Sequence, residues 1–158
     1  MTQDQKTATL TTIFSEVLAN LAFMFSEDEE DIIPSAGDVW LETEIGYRGP
    51  QSGTLRFWCA REFSVRLAAN LLGIDPDDDD AESQAVDAVK EFMNIVCGQL
   101  ITAIHGTEVV FDLTIPALRE LSETPRFSED GGPHSSTLFV EGQRLLLCYE
   151  PGPESPQD

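Results

Sequence analysis

The sequence predicts a single α/β domain in which long helices pack on a mainly antiparallel sheet. Two long segments, one near the start of the chain and one in its middle, have the apolar spacing of helices, and short alternating segments follow each. A length of 158 residues with 41% hydrophobic content is enough for one core. The repeated order of a helix and then strands also predicts a weak internal duplication with a pseudo-twofold axis. We expect the domain to span residues 6–150 and the tail 151–158 to be disordered.

The first half of the chain predicts two helices separated by two strands. Residues 6–26 carry apolar side chains every three or four positions, which indicates a helix with one buried face. Residues 38–47 alternate apolar and polar side chains and, with 54–60, predict an antiparallel pair. Residues 61–73 predict a second helix, which a glycine ends.

An acidic connector leads into the longest predicted helix, residues 80–105. Asp79 and Glu82 have the spacing of a capping box, and acidic side chains stabilise the positive end of a helix dipole. The same acids lack the ligand spacing of a calcium-binding loop, so we expect no metal ion there.

After this helix the chain returns to strand-like patterns. Residues 108–116 predict a strand that a proline ends, and the loop that follows is expected to have a short helical turn over 117–122. Residues 136–150 predict a hairpin that turns at Glu141 and Gly142.

The charge of the chain narrows the classes of partner. It contains 9 Lys and Arg against 29 Asp and Glu, a formal net charge of -20. This excess repels nucleic acid and anionic membrane surfaces, so we expect protein partners with basic patches. The cysteines have no CxxC spacing, and the N-terminal residues lack the apolar core of a signal peptide. A cytoplasmic protein without membrane insertion, metal or cofactor is the simplest expectation.

Two stripes run along the predicted helix 80–105 when its residues are placed about 100° apart. One stripe is apolar and is expected to pack on the sheet: Val86, Val89, Met93, Cys97, Leu100 and Ile104. The other is polar and is expected to face solvent or a partner: Asp87, Glu91, Asn94, Gly98, Thr102 and His105. Because His105 lies at the helix end, we expect it to interact with the last carbonyl groups rather than to act in catalysis.

Two residues of the polar stripe are poor choices for a helix interior. The amide of Asn94 competes for backbone hydrogen bonds, and Gly98 costs up to about 1 kcal/mol relative to alanine. The sequence leaves two interpretations of Gly98 open: it lets a partner approach the helix backbone, or it lets another helix of the same domain cross closely. For Asp87, Glu91 and Asn94 the alternative is an ordinary solvated helix face.

A carboxamide beside a carboxylate suits the positioning of a water molecule better than nucleophilic or metal chemistry. The carbonyl oxygen of Asn94 can accept a hydrogen bond from water, and its amine can donate elsewhere. Positioning matters most where the electrophile is already activated, as in hydrolysis of a phosphoryl group. Because the chain is so acidic, we expect a partner to hold the phosphoryl group and its metal ion. Glu91 could then pair with a lysine of that partner.

These residues resemble a known signature. Asp87-x3-Glu91-x2-Asn94, followed by a distant Pro116, resembles the motif of the CheC, CheX and FliY chemotaxis phosphatases. The segments EFMNIVCGQLITAIHG and SGTLRFWCAREFSVRLAANLLGID look most like the CheX-type domain, and the resemblance covers roughly residues 8–150. It implies a CheC-like fold and hydrolysis of the aspartyl phosphate of a CheY-like receiver domain, which brings its own Mg²⁺. By the same resemblance, Asn94 would orient the attacking water and Glu91 would pair with a receiver lysine.

The sequence departs from the family pattern in two places. Asn94 and Pro116 are separated by 21 residues, one fewer than the family pattern has. The first helix carries Thr12, Glu16 and Ala19 where a second active motif would need an asparagine. This composition suits a single-site, CheX-like protein rather than a two-site, CheC-like one.

Two other functions fit parts of the sequence. A module that binds a receiver without hydrolysis would use the same stripe, with Asp87 and Gly98 in contact with the partner. An acidic export chaperone would bind an unfolded basic segment, but it leaves the stripe from Asp87 to Gly98 without a role. The resemblance and the terminal strands also predict a homodimer.

Overall fold

Helices and antiparallel strands form the fold in the computed structural model, which describes residues 1–27, 39–125 and 134–153. The elements in chain order are α1 (Gln3–Ala22), β1 (Trp40–Arg48), β2 (Gly53–Ala60), α2 (Arg61–Leu72), α3 (Asp79–Ser83), α4 (Ala85–His105), β3 (Asp112–Leu113), β4 (Ala117–Leu121), β5 (Ser135–Val140) and β6 (Gln143–Pro151). The strands form one six-stranded sheet in the order β3-β1-β2-β6-β5, in which β4 also pairs with β1. Every pairing is antiparallel.

The helices cover one face of the sheet because alternate side chains of each strand point to that face. Leu41, Thr43 and Ile45 of β1 are buried on this side, as the alternation in the sequence predicts. Phe14 of α1 lies at the centre of the core, with its ring centroid 4.9 Å from both Phe57 and Phe92. These contacts join α1, α4 and the sheet in one core.

The opposite face of the sheet also carries buried apolar residues. Trp40 and Trp58 lie there with Leu146 and Cys148, so both tryptophans pack on a sheet face. The Trp58 indole Nε1 donates a hydrogen bond to Glu42 Oε2 at 3.1 Å, so its polar atom is satisfied.

The prediction for the chain after the long helix is wrong in two respects. Of residues 108–116 only Asp112–Leu113 form a strand, and the helical turn over 117–122 is instead the strand β4. Both short strands pair with β1 and lie end to end along its edge. Pro116 lies between them, where its missing N–H removes no ladder hydrogen bond.

The predicted helix 80–105 is two helices separated at Gln84. The capping box is also wrong, because the N-cap is Asp78, whose side chain accepts from the Asp80 backbone N–H at 2.9 Å. Asp79 therefore lies inside the first turn, where its charge still favours the helix dipole.

The other boundaries are close to the predicted ones. The hairpin turns at Glu141 and Gly142, which have φ values of 50° and 75°, as a type I′ turn requires. The first helix ends at Ala22, before the predicted residue 26. Residues 154–158 of the predicted tail lie outside the described residues. In the described ranges, no helix combines the length and the apolar character needed to cross a bilayer.

Candidate functional site

Helix α4 packs against the sheet and against both α1 and α2, so only one side of it is free. Its buried residues are Ala85, Val89, Phe92, Met93, Val96, Cys97, Leu100 and Ile101. The predicted apolar stripe is right at its centre but wrong at Val86, which is exposed. Phe92 and Val96 are buried instead, so the packing side of α4 is turned away from Val86. This side contacts α2 as well as the sheet.

Asp87, Glu91 and Asn94 all lie on the exposed side of α4. Among the described residues, no hydrogen bond or ion pair is formed by any of these three side chains. The amide of Asn94 therefore has no structural partner that would explain a poor helix former at this position. Its carbonyl oxygen and its amine are both available to an external group.

Gly98 lies one turn beyond Asn94 and opens a space beside it. Apart from its chain neighbours and the backbone of α4 itself, a methyl group built on Gly98 would meet no atom within 4 Å. Within the described residues, no other helix therefore crosses closely at Gly98. The glycine leaves the backbone of α4 accessible from outside the domain.

An open groove of about 600 Å³ runs along α4 at this point. Ile13 of α1 forms its second wall, and the remaining lining residues are Asn94, Ile95, Gly98, Gln99, Thr102 and Ala103. Sequence reasoning missed Ile13 and Ile95 as site residues. Ile13 belongs to the apolar pattern of the first helix, and Ile95 belongs to neither stripe of the long helix. The pairing of α1 with α4, which only the fold provides, turns them toward the groove.

His105 does not belong to the exposed stripe. Its Nε2 lies 2.9 Å from Tyr47 Oη, which in turn lies 2.9 Å from Tyr149 Oη. Its ring also packs against Phe111, with centroids 5.0 Å apart. This cluster anchors the end of α4 to the first and last long strands, so the expected interaction with the last carbonyl groups is replaced by contacts with strand side chains.

The His105 cluster predicts a loss of stability at mildly acidic pH. Burial, and then the nearby charge of Lys6, lower the pKa of His105 below its ordinary 6.5. The unfolded chain therefore binds the proton more readily, and the free energy of unfolding is expected to fall as the pH drops below about 6.5. Denaturant titrations between pH 7.5 and 5.5 should show this slope in the wild type and a shallower one in His105→Gln. An unchanged slope in His105→Gln, or an equal change in the control His134→Gln, would contradict the assignment.

The other candidate reactive groups are placed for packing. Cys59, Cys97 and Cys148 are buried and free, and burial raises the pKa of Cys97 to about 12. The described residues contain no group of three or more His, Cys, Asp or Glu placed to hold a metal ion. On α1, Thr12 and Glu16 are exposed, but the position that would need an asparagine is Ala19.

Comparisons with known proteins identify the family and the fold of this chain. Residues 43–131, more than half of the chain, match the family model described as chemotaxis phosphatase CheX. No curated protein sequence matches this chain significantly.

Three solved structures share the fold over nearly their whole length. A CheX protein of Desulfovibrio desulfuricans has a TM-score of 0.66 at 15% identity, covering 94% of this chain and 99% of its own. CheX of Vibrio vulnificus has a TM-score of 0.64 at 19% identity, covering 95% and 99%. CheX of Borrelia burgdorferi, in a complex with CheY, BeF3 and Mg²⁺, has a TM-score of 0.59 at 22% identity, covering 91% and 96%. The predicted fold class, helices on an antiparallel sheet in a CheC-like fold, is confirmed, and this chain belongs to the CheX family of chemotaxis phosphatases.

Proposed function

We propose that this chain hydrolyses the aspartyl phosphate of a CheY-like receiver domain. Membership of the CheX family supports a phosphatase, and the complex of Borrelia burgdorferi CheX with CheY supports a receiver as the partner. The observation that carries the proposal is the free carboxamide of Asn94, exposed on α4 next to a groove that no part of the described chain fills.

Asn94 acts by placing the attacking water. The carbonyl oxygen accepts one hydrogen of the water, which directs a lone pair of the water oxygen at phosphorus. A new phosphorus–oxygen bond forms, the bond to the receiver aspartate breaks, and the products are inorganic phosphate and a free carboxylate. Catalysis rests on this positioning and on charge stabilisation by the Mg²⁺ that the receiver holds.

Glu91 and Asp87 provide the contacts that align the two proteins. Glu91 lies three residues before Asn94 on the same exposed side, so its carboxylate can pair with a receiver lysine while Asn94 enters the active site. Asp87, one turn earlier, extends the acidic surface and steers a basic partner surface toward α4. Gly98 leaves room for the receiver beside the catalytic amide.

A receiver-binding module without catalysis is the alternative, and one assay separates the two functions. A phosphorylated receiver with Mg²⁺ is followed for phosphate release, alone and with this chain, while complex formation is measured by fluorescence anisotropy. Faster release supports the phosphatase. Complex formation with an unchanged release rate would support the binding module instead. The homodimer predicted from the resemblance can be measured in the same samples by light scattering.

Substitution of Gly98 is expected to separate stability from docking. Gly98→Ala should raise the free energy of unfolding by about 0.5–1 kcal/mol, because alanine is the better helix former and its methyl group would clash with no side chain or neighbouring element. Gly98→Met should keep this helix preference but fill the groove and weaken receiver binding by about tenfold, on the order of 1.4 kcal/mol. Thermal unfolding and anisotropy titration measure the two effects. Receiver binding by Gly98→Met as tight as that of the wild type would remove Gly98 from the docking surface.

A further inference from the structure

The C-terminal ends of α1 and α2 carry an exposed apolar patch that the proposed function does not use. It consists of Leu21, Phe23, Phe25, Leu71 and Leu72, and we name it the helix-end patch. The Asn70 side chain Nδ2 donates to the Ala22 carbonyl oxygen at 2.8 Å and holds the two helix ends side by side. Exposed apolar groups gathered in one place mark interaction surfaces more often than scattered ones do.

Phe23 has a backbone conformation that phenylalanine rarely adopts. Its φ of 54° and ψ of 34° are left-handed, and it ends α1 where glycine is the usual residue. The backbone N–H groups of Phe23 and Met24 both donate to the Leu18 carbonyl oxygen, so the cap itself needs no side chain. A glycine would make the same cap without steric strain.

Packing does not account for Phe23 either. Its side chain is 71% exposed, and Phe25 beside it is 62% exposed, whereas Met24 between them is fully buried. A strained backbone that presents an aromatic ring to solvent points to a function outside the fold. Aromatic residues are also the side chains most enriched at the centres of protein interfaces.

The charges around the helix-end patch indicate the chemistry of a partner that could bind it. Neither residues 7–47 nor residues 67–89 contain a lysine or arginine. In the sequence, Glu27 follows the patch residues at the end of α1, and Asp75 follows those at the end of α2. A second copy that met this patch with its own patch would bring the same acidic residues, and an anionic membrane is also negatively charged, so both are repelled by such a surface. A segment with apolar side chains flanked by Lys and Arg is complementary to it.

The patch also lies away from the groove beside Asn94. Ile13 of α1 lines the groove beside Asn94, and the next residue, Phe14, packs against Phe92 of α4. Phe23 is ten residues further along the chain, about 15 Å along the α1 axis. We propose that the helix-end patch binds a basic, apolar segment of a partner protein other than the receiver.

Two synthetic 14-residue peptides test this proposal. One carries leucines at positions i, i+3, i+4 and i+7 with lysines elsewhere, and the other has glutamates in place of the lysines. We expect the full chain to bind the lysine peptide and not the glutamate peptide. Phe23→Gly should weaken binding at least tenfold while the melting temperature stays at or above that of the wild type. Ile115→Ala, which removes an even more exposed apolar side chain elsewhere, serves as the control and should bind normally.

Phosphate release from the receiver is measured on the same variants. An unchanged rate in Phe23→Gly is expected, because the patch and the groove are separate. The proposal is overturned by no binding of the lysine peptide, by equal binding to wild type and Phe23→Gly, or by binding of the glutamate peptide. A slower phosphate release in Phe23→Gly would also overturn it, since the patch would then be part of the receiver surface. If the wild type proves inactive on the receiver, the peptide measurements still decide the proposal.

Discussion

Asn94→Ala is expected to slow phosphate release from the phosphorylated receiver by about 100-fold or more, the usual effect of removing one well-placed polar group from a transition state. The side chain is exposed and makes no hydrogen bond to the described residues, so its removal disturbs no internal contact. Alanine is also a better helix former than asparagine, and the melting temperature should not fall.

Asn20→Ala is the matched control for this experiment. Asn20 is also an exposed asparagine on a helix, but it lies on α1. Its substitution should leave phosphate release unchanged. Binding of both variants to a receiver held with BeF3 and Mg²⁺ should match the wild type, because Asn94 acts in the reaction rather than in docking. Equal release rates for Asn94→Ala and the wild type would refute the assignment of Asn94.

Phe14→Ala is expected to lower the free energy of unfolding by about 3–5 kcal/mol. Phe14 is fully buried and contacts Phe57 of β2 and Phe92 of α4, so its loss leaves a cavity where three elements meet. The neighbours cannot all move to fill it, because each belongs to a different element. Denaturant titration at neutral pH measures the change.

Phe25→Ala provides the comparison for a phenylalanine outside the core. Its side chain is mostly exposed, so the same substitution should change the free energy of unfolding by about 0.5 kcal/mol or less. A loss in Phe25→Ala as large as that in Phe14→Ala would contradict the position of the core. A loss below about 1 kcal/mol in Phe14→Ala would do the same.

The long, strongly periodic elements could be predicted from the sequence, and the short ones could not. Helix α4 and the Glu141–Gly142 hairpin follow from local patterns that tertiary contacts reinforce. Strand β4 has the sequence ALREL, which favours helix, and it forms a strand only because the edge of β1 is available for pairing. The break at Gln84 is also invisible in the pattern, because acidic and apolar residues continue across it.

The side of α4 that carries the candidate site could be predicted from the sequence, but the shape of the surface around it could not. Helical spacing alone places Glu91 and Asn94 on one side of α4. The choice between the two interpretations of Gly98 needed the positions of the neighbouring helices, because an empty space has no signature in sequence. Ile13 could not be assigned to the site from the sequence either, because it is more than 80 residues away from Asn94 in the chain.

The position of β6 in the sheet has a consequence for how this chain folds during synthesis. β6 ends at Pro151 yet lies between β2 and β5, and its Tyr149 completes the hydrogen-bonded contact with Tyr47. Residue 151 must therefore have left the ribosome before β6 can pair fully with β2 and β5. Until then β2 exposes an unpaired apolar edge, and a nascent chain stalled before β6 would be a substrate for chaperones.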